Sequence, residues 1–144
     1  MTYFCSLHIT SDLQSALPVG FLINPKEIEV NFTDNESPDR LAQLIRLRKI
    51  GLAKNKPPRY RWILNSDGYV DGADVLEHVT WVLEKINPTI SLSQLGCSGY
   101  KCWLQFYWEG NGTGGGPEIT SAIAALLVKH KIDIRFGFYL EQVE

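Results

Sequence analysis

Apolar and polar residues alternate with period two over four short stretches, the pattern of half-buried strands. Residues 3–9 put Tyr3, Cys5, Leu7 and Ile9 on one face and Phe4, Ser6 and His8 on the other. Residues 27–32 set Ile28, Val30 and Phe32 against Glu27, Glu29 and Asn31, and residues 60–64 read as a third strand. Residues 101–108 oppose Cys102, Leu104, Phe106 and Trp108 to Trp103, Gln105 and Tyr107. Residues 132–140 oppose Ile132, Ile134, Phe136, Phe138 and Leu140 to Asp133, Arg135, Gly137 and Tyr139.

Helical spacing fills the gaps. In 39–50, Leu41, Leu44, Ile45 and Arg48 recur at i, i+3, i+4 and i+7, with Ser37 as N-cap, Pro38 in the first turn and Gly51 as terminator. In 73–86, Val75, Leu76, Val79, Val82, Leu83 and Ile86 form the clearest stripe, and Asn87-Pro88 stops it. The polar side of that helix carries Glu77, His78, Trp81 and Lys85. A third helix is expected at 117–130, opened by Pro117 and striped by Ile119, Ile123, Leu126 and Leu127. Residues 91–96 suit one short helical turn. Residues 11–25, with Pro18, Gly20 and Pro25, suit a loop or a broken helix.

The order ββαβαβαβ with half-polar strands predicts an α+β two-layer sandwich. Its sheet, of about five mostly antiparallel strands, packs helices on one face and turns the other to solvent or a partner. A doubly wound parallel sheet would need continuously apolar strands. The strand–helix–strand–helix–strand spacing of 60–140 suggests a ferredoxin-like element. The chain of 144 residues, 44% apolar and 21% charged, fits a single domain over 1–144 with a core that needs no disulfide.

The N-terminus has no basic and apolar leader pattern, and no stretch approaches a membrane span, so a cytoplasmic location is expected. Cys5, Cys97 and Cys102 form no CxxC and read as reduced thiols. His8, His78 and His130 are scattered, so neither a metal nor a cofactor is expected.

Gly110-x-Gly112-x-x-Gly115 formally matches a dinucleotide fingerprint. The preceding strand alternates, however, and Glu118 puts a carboxylate where a phosphate would sit, so a flexible connection is the simpler reading. His78 with Asp74 at i, i+4 is a candidate base and orienter. No nucleophile motif accompanies it, and Glu27 with Glu29 is a pair of strand acids, so no enzyme is expected.

Charge is segregated. The net charge is only −2, yet residues 40–61 hold eight basic side chains and no acid. The acids Glu27, Glu29, Asp34, Glu36 and Asp39 come immediately before. Either the segments neutralise each other or they face different partners. The strand face opposite the helices would carry Phe4, His8, Arg61, Ile63, Trp103, Tyr107, Arg135 and Tyr139, a mixture rich in the residue types of protein interfaces. A loop at 11–25 or a second copy is one way to cover it.

Trp62-x-Leu64-x-Ser66, His78-Val79-x-Trp81-Val82-Leu83, the strand ending Phe106-Tyr107, the glycine-rich break and the closing Phe138-Tyr139 resemble a family of small bacterial proteins known as domain of unknown function 4279. The N-terminal half is less similar. The resemblance implies no catalytic residues. It implies an immunity or antitoxin role, in which a small cytoplasmic protein binds and neutralises a cognate toxin domain, such as a nuclease of a contact-dependent inhibition system. The candidate partner-binding residues are then Asp34, Glu36, Asp39, Arg61, Trp103, Tyr107, Arg135, Tyr139 and Glu141, with Glu144 as a further acid. The alternative is an RNA- or anionic-ligand-binding module using the basic 40–61 segment and the aromatic sheet face.

Overall fold

The computed structural model of this chain describes residues 3–51, 57–110 and 116–140. The elements run β1 (Tyr3–Ser11), β2 (Val30–Asp34), α1 (Pro38–Lys49), β3 (Tyr60–Asn65), α2 (Val75–Glu84), α3 (Leu92–Leu95), a 3-10 turn (Gly96–Ser98), β4 (Tyr100–Gly110), α4 (Ser121–His130) and β5 (Ile134–Leu140). The five strands form one open sheet in the order β2-β3-β1-β4-β5. Three neighbouring pairs are antiparallel, and β4–β5 alone is parallel. This is the expected α+β two-layer arrangement. In 60–140, β3–α2–β4 is a split crossover with β1 between its strands, and β4–α4–β5 is an adjacent parallel one.

Period-two alternation decides the faces. Cys5, Leu7 and Ile9 of β1 join Trp62 and Leu64 of β3 and Leu104 and Phe106 of β4 in one core. The α2 stripe of Val75, Val79, Val82 and Leu83 closes on them. Burying each of these side chains stabilises the fold by about 1.5–3 kcal/mol before chain entropy is set against it. Asp74 starts α2 at its observed place, because its Oδ1 accepts a hydrogen bond from the Leu76 amide at 3.0 Å.

Several boundaries differ from the sequence reading. The helix expected at 117–130 begins at Ser121, because the Thr120 side chain accepts from the Ile123 amide and caps it there. It ends in a left-handed Lys131 (φ 49°), with Ile132 N bonded to Leu127 O and Lys131 N to Val128 O. That reciprocal pair is the six-to-one and five-to-two bonding of a Schellman stop. The second strand lies later than 27–32, since its register runs from Val30↔Leu64 to Asp34↔Tyr60. α1 buries only Leu44, while Leu41 and Ile45 of its apolar stripe stay exposed.

Residues 12–29 hold no helix, yet they are tied to the core side. Phe21 is buried in the main core, Leu22 bridges Ile86, and Asn87 N bonds to Phe21 O. The 11–25 segment is therefore tied to the helical layer and does not cover the opposite sheet face. No helix of the described residues is long and apolar enough to cross a membrane.

Candidate partner-binding face

The opposite face is built outward from the small residues of β1. The register sets His8 between Ile63 and Trp103, Thr10 between Arg61 and Lys101, and Phe4 beside Tyr107. On the far side, Arg135 pairs with Gln105 and Gly137 with Tyr107. Ser6 and Thr10 are small yet buried, so longer neighbouring side chains cover this stretch of the central strand.

Stacking orders them. The His8 and Trp103 rings lie nearly parallel, 5.3 Å apart and 9° from coplanar. The Arg135 guanidinium sits 4.4 Å above Trp103. A second stack runs from Phe4 to Tyr107 (4.8 Å) and on to Tyr139 (5.8 Å). Gly137 makes the second stack possible, because a Cβ there would meet the Tyr107 ring at 2.9 Å. Tyr139, at the sheet edge, remains 57% exposed.

The electrostatics are one-sided. Burial, then the nearby Arg61 and Arg135, push His8 down to about 4, so its ring is neutral at neutral pH. Burial and Tyr139 raise the Tyr107 hydroxyl against the opposing pull of Arg61. Two buried side-chain nitrogens have no hydrogen-bond partner among the described residues, His8 Nε2 and Arg61 Nε. Both belong to this face. Such orphans are rare and costly.

Five candidate residues thus fall on one surface: Arg61, Trp103, Tyr107, Arg135 and Tyr139. Asp34, Glu36 and Asp39 do not join them. They lie where β2 leads into α1, at the sheet edge farthest from β5. Glu36 pairs with Arg59 at 3.2 Å, and Asp34 Oδ1 accepts from the Glu36 amide. The acidic and basic segments therefore meet at this corner. Glu141, Glu144, Lys54, Lys56 and residues 111–115 of the glycine-rich loop lie outside the described residues. The loop's flanks, Gly110 and Gly116, rest against the Trp108 ring.

His78 differs from its expected place on the polar side of its helix. It is fully buried. Its Nε2 donates to the Gly72 carbonyl (2.8 Å), which leaves Nδ1 to accept from the Ser66 hydroxyl (2.7 Å). Ser66 Oγ in turn accepts from the Cys5 amide at 2.8 Å. Asp74 is engaged as the helix cap and does not orient the ring. The chain Cys5–Ser66–His78–Gly72 fastens β1, the β3 exit and α2 together. Sequence spacing offers no signal for Ser66 as the partner, and none for the orphaned nitrogens across the sheet.

Cys5, Cys97 and Cys102 are unpaired, and burial pushes the Cys5 and Cys102 thiols up to about 12. No group of three or more His, Cys, Asp or Glu side chains among the described residues is placed to hold a metal ion. A groove of about 550 Å³ runs between α2, α4 and the turn at 86–92, lined by Ile23, Leu83, Ile90, Leu126 and His130 among others. No protein-family model, curated protein or solved structure significantly matches this chain.

Proposed function

We propose that this chain is an immunity- or antitoxin-type protein that binds and neutralises a cognate toxin domain in the cytoplasm, as in contact-dependent growth inhibition. The observation that carries the reading is the clustering of Arg61, Trp103, Tyr107, Arg135 and Tyr139 on one sheet face beside two buried, unpartnered nitrogens. Aromatic residues and arginine are the usual hot-spot types, and stacked rings lose little freedom on binding. The Ser66–His78 pair adds no chemistry accessible to a substrate, being sealed inside the core.

The direct test is co-expression with the toxin domain encoded beside this chain. The reading expects growth protection and a stoichiometric complex, both lost when Trp103 and Tyr107 are replaced together by Ala. Growth arrest in the presence of the intact chain sinks it. A second reading, RNA binding, draws on the Phe4–Tyr107–Tyr139 stack, because single-stranded bases stack on such rings. It expects recovery of RNA alone, with affinity falling steeply as salt rises.

A further inference from the structure

We propose that this chain forms a two-fold dimer through the outer edge of β5, which pairs antiparallel with β5 of a second copy about an axis through Gly137. The proposal concerns the sheet edge and stands independently of the toxin-binding reading of the outer face.

The backbone of that edge is free. β5 ends the sheet, and among the described residues nothing pairs with its outer side. Leu104 N donates to Asp133 O at 2.9 Å, and the parallel register then runs unbroken from Leu104↔Ile134 to Gly110↔Leu140. In a parallel ladder each residue directs both backbone groups to one side, and the sides alternate along the strand. Asp133, Arg135, Gly137 and Tyr139 therefore turn theirs to β4. Ile134, Phe136, Phe138 and Leu140 turn theirs outward, as a row of open donors and acceptors. The usual guards of such an edge are missing. β5 has no proline and no bulge, and its one charged side chain, Arg135, is drawn back over the Trp103 ring.

The occupant follows from the order of residues in the strand. Outward from Gly137 the sequence is chemically symmetric, with Phe136 answering Phe138 and Arg135 answering Tyr139. An isologous contact pairs i with j and j with i, and here the residue on the axis opposes itself. With Gly137 on the axis, Phe136 meets Phe138 of the second copy as a hydrogen-bonded pair. Arg135 meets Tyr139 of the second copy, so no like charges are opposed. Gly137 then lies in a close, non-bonded pair, where the Cα atoms approach to about 4.5 Å and a missing side chain helps. The rings add apolar area. Phe136 and Phe138 share the face of Phe106 and Trp108, yet α4 buries only Ile123, and the two rings stay 43% and 44% exposed. The other edge, β2, lacks this symmetry, since pairing it about Phe32 sets Val30 against Asp34. Seven residues give a seam about 23 Å long, short for a homodimer, so the pairing is reversible and concentration-dependent.

The test is sedimentation equilibrium of the full chain up to about 1 mM, with amide exchange followed by NMR over the same dilution series. A monomer–dimer equilibrium is expected, in which the Phe136 and Phe138 amides gain protection as concentration rises. The Arg135 and Tyr139 amides, bonded to β4, stay protected throughout. Phe136→Lys combined with Phe138→Lys sets like charges opposite each other and is expected to weaken the dimer at least about tenfold. If that double variant unfolds, amide exchange in the parent chain decides. A monomer at the highest concentration overturns the proposal. A dimer whose Phe136 and Phe138 amides stay unprotected overturns it too, because it uses another surface. Open-ended assembly does the same, since it marks β5 pairing with β2 of the next copy. Dimerisation of the folded double variant at parental strength also overturns it.

Discussion

The two faces of the sheet each bury a histidine and treat it in opposite ways. On the helical face, His78 has a partner on both ring nitrogens, Ser66 and Gly72. On the other face, His8 lies between two arginines, with Nε2 unbonded. A fully satisfied buried polar group locks one arrangement, whereas an unsatisfied one is tolerated only where something else compensates. The contrast divides the sheet into a face whose buried polar groups are satisfied and a face that leaves two of them unmet.

Adjacent residues of β4 break the comparison most sharply. Phe106 points into the core and Tyr107 points away from it. Phe106→Ala is expected to cost about 3–5 kcal/mol in urea unfolding, through lost transfer energy and the cavity left behind. Tyr107→Ala forfeits its ring contacts with Phe4 and Tyr139 and is expected to cost about 1–2 kcal/mol. The ranking should invert for partner binding, where Tyr107→Ala is the damaging change. Equal stability losses would mean that the outer face is a second core.

Ser66→Ala comes next. It removes the donor to His78 Nδ1 and the acceptor for the Cys5 amide together, leaving two buried groups unpaired, at roughly 3 kcal/mol. Equilibrium unfolding reads this loss. A stability change below about 0.5 kcal/mol would show that the network holds nothing together.

How far the sequence discloses this division depends on the range of the interaction. Period-two alternation is local, so Arg61, Trp103, Tyr107, Arg135 and Tyr139 are legible as one face before any pairing is known. Register is not local. Nothing in the spacing of Ser66 and His78 announces their bond, since position 78 lies at the flank of the Val75–Val79–Val82 stripe and only the β3 exit makes it interior. The acidic corner stays open for the same reason. Asp34, Glu36 and Asp39 could face a partner or be neutralised by the basic segment, and only the fold shows Arg59 reaching Glu36. The α4 boundary escapes because Pro117 and Thr120 both suit a helix start, and the Thr120 cap decides between them.

His8 supplies the third break, through pH. Its pKa is about 4 in the folded chain against an ordinary 6.5, so the unfolded chain takes up the proton first as pH falls. Above 6.5 both states are neutral and the group contributes nothing. Between 6.5 and 4 it progressively destabilises the fold, by roughly 2–3 kcal/mol in full. The charged and titratable groups on its face are Arg61 from β3, Lys101, Tyr107 and Glu109 from β4, and Arg135 and Tyr139 from β5, and the two arginines that act on it oppose the proton. His8→Phe keeps a ring on Trp103 and removes the titration. The variant is therefore expected to gain stability relative to the parent as pH drops from 6.5 to 4. Parallel pH profiles for the two chains would place His8 in an ordinary environment.

The smallest effect belongs to the corner where the charge segments meet. Arg59 and Glu36 are each about half exposed, 43% and 50%, so water screens their attraction and side-chain entropy opposes it. Arg59 also lies over the Tyr60 ring and Asn35 bonds to its carbonyl, contacts that do not need Glu36. Glu36→Gln should thus change stability by less than about 0.5 kcal/mol, and the change should vanish in high salt. The same variant discriminates between the two surfaces as partner sites. A toxin with a basic cleft that docks on Asp34, Glu36 and Asp39 would lose association rate in Glu36→Gln, most of all at low salt. A partner that docks on the aromatic and arginine face would bind Glu36→Gln and the parent chain alike. Kinetic binding measurements of the two chains across a salt series separate these outcomes, because only a surface in the contact can carry the salt-dependent difference.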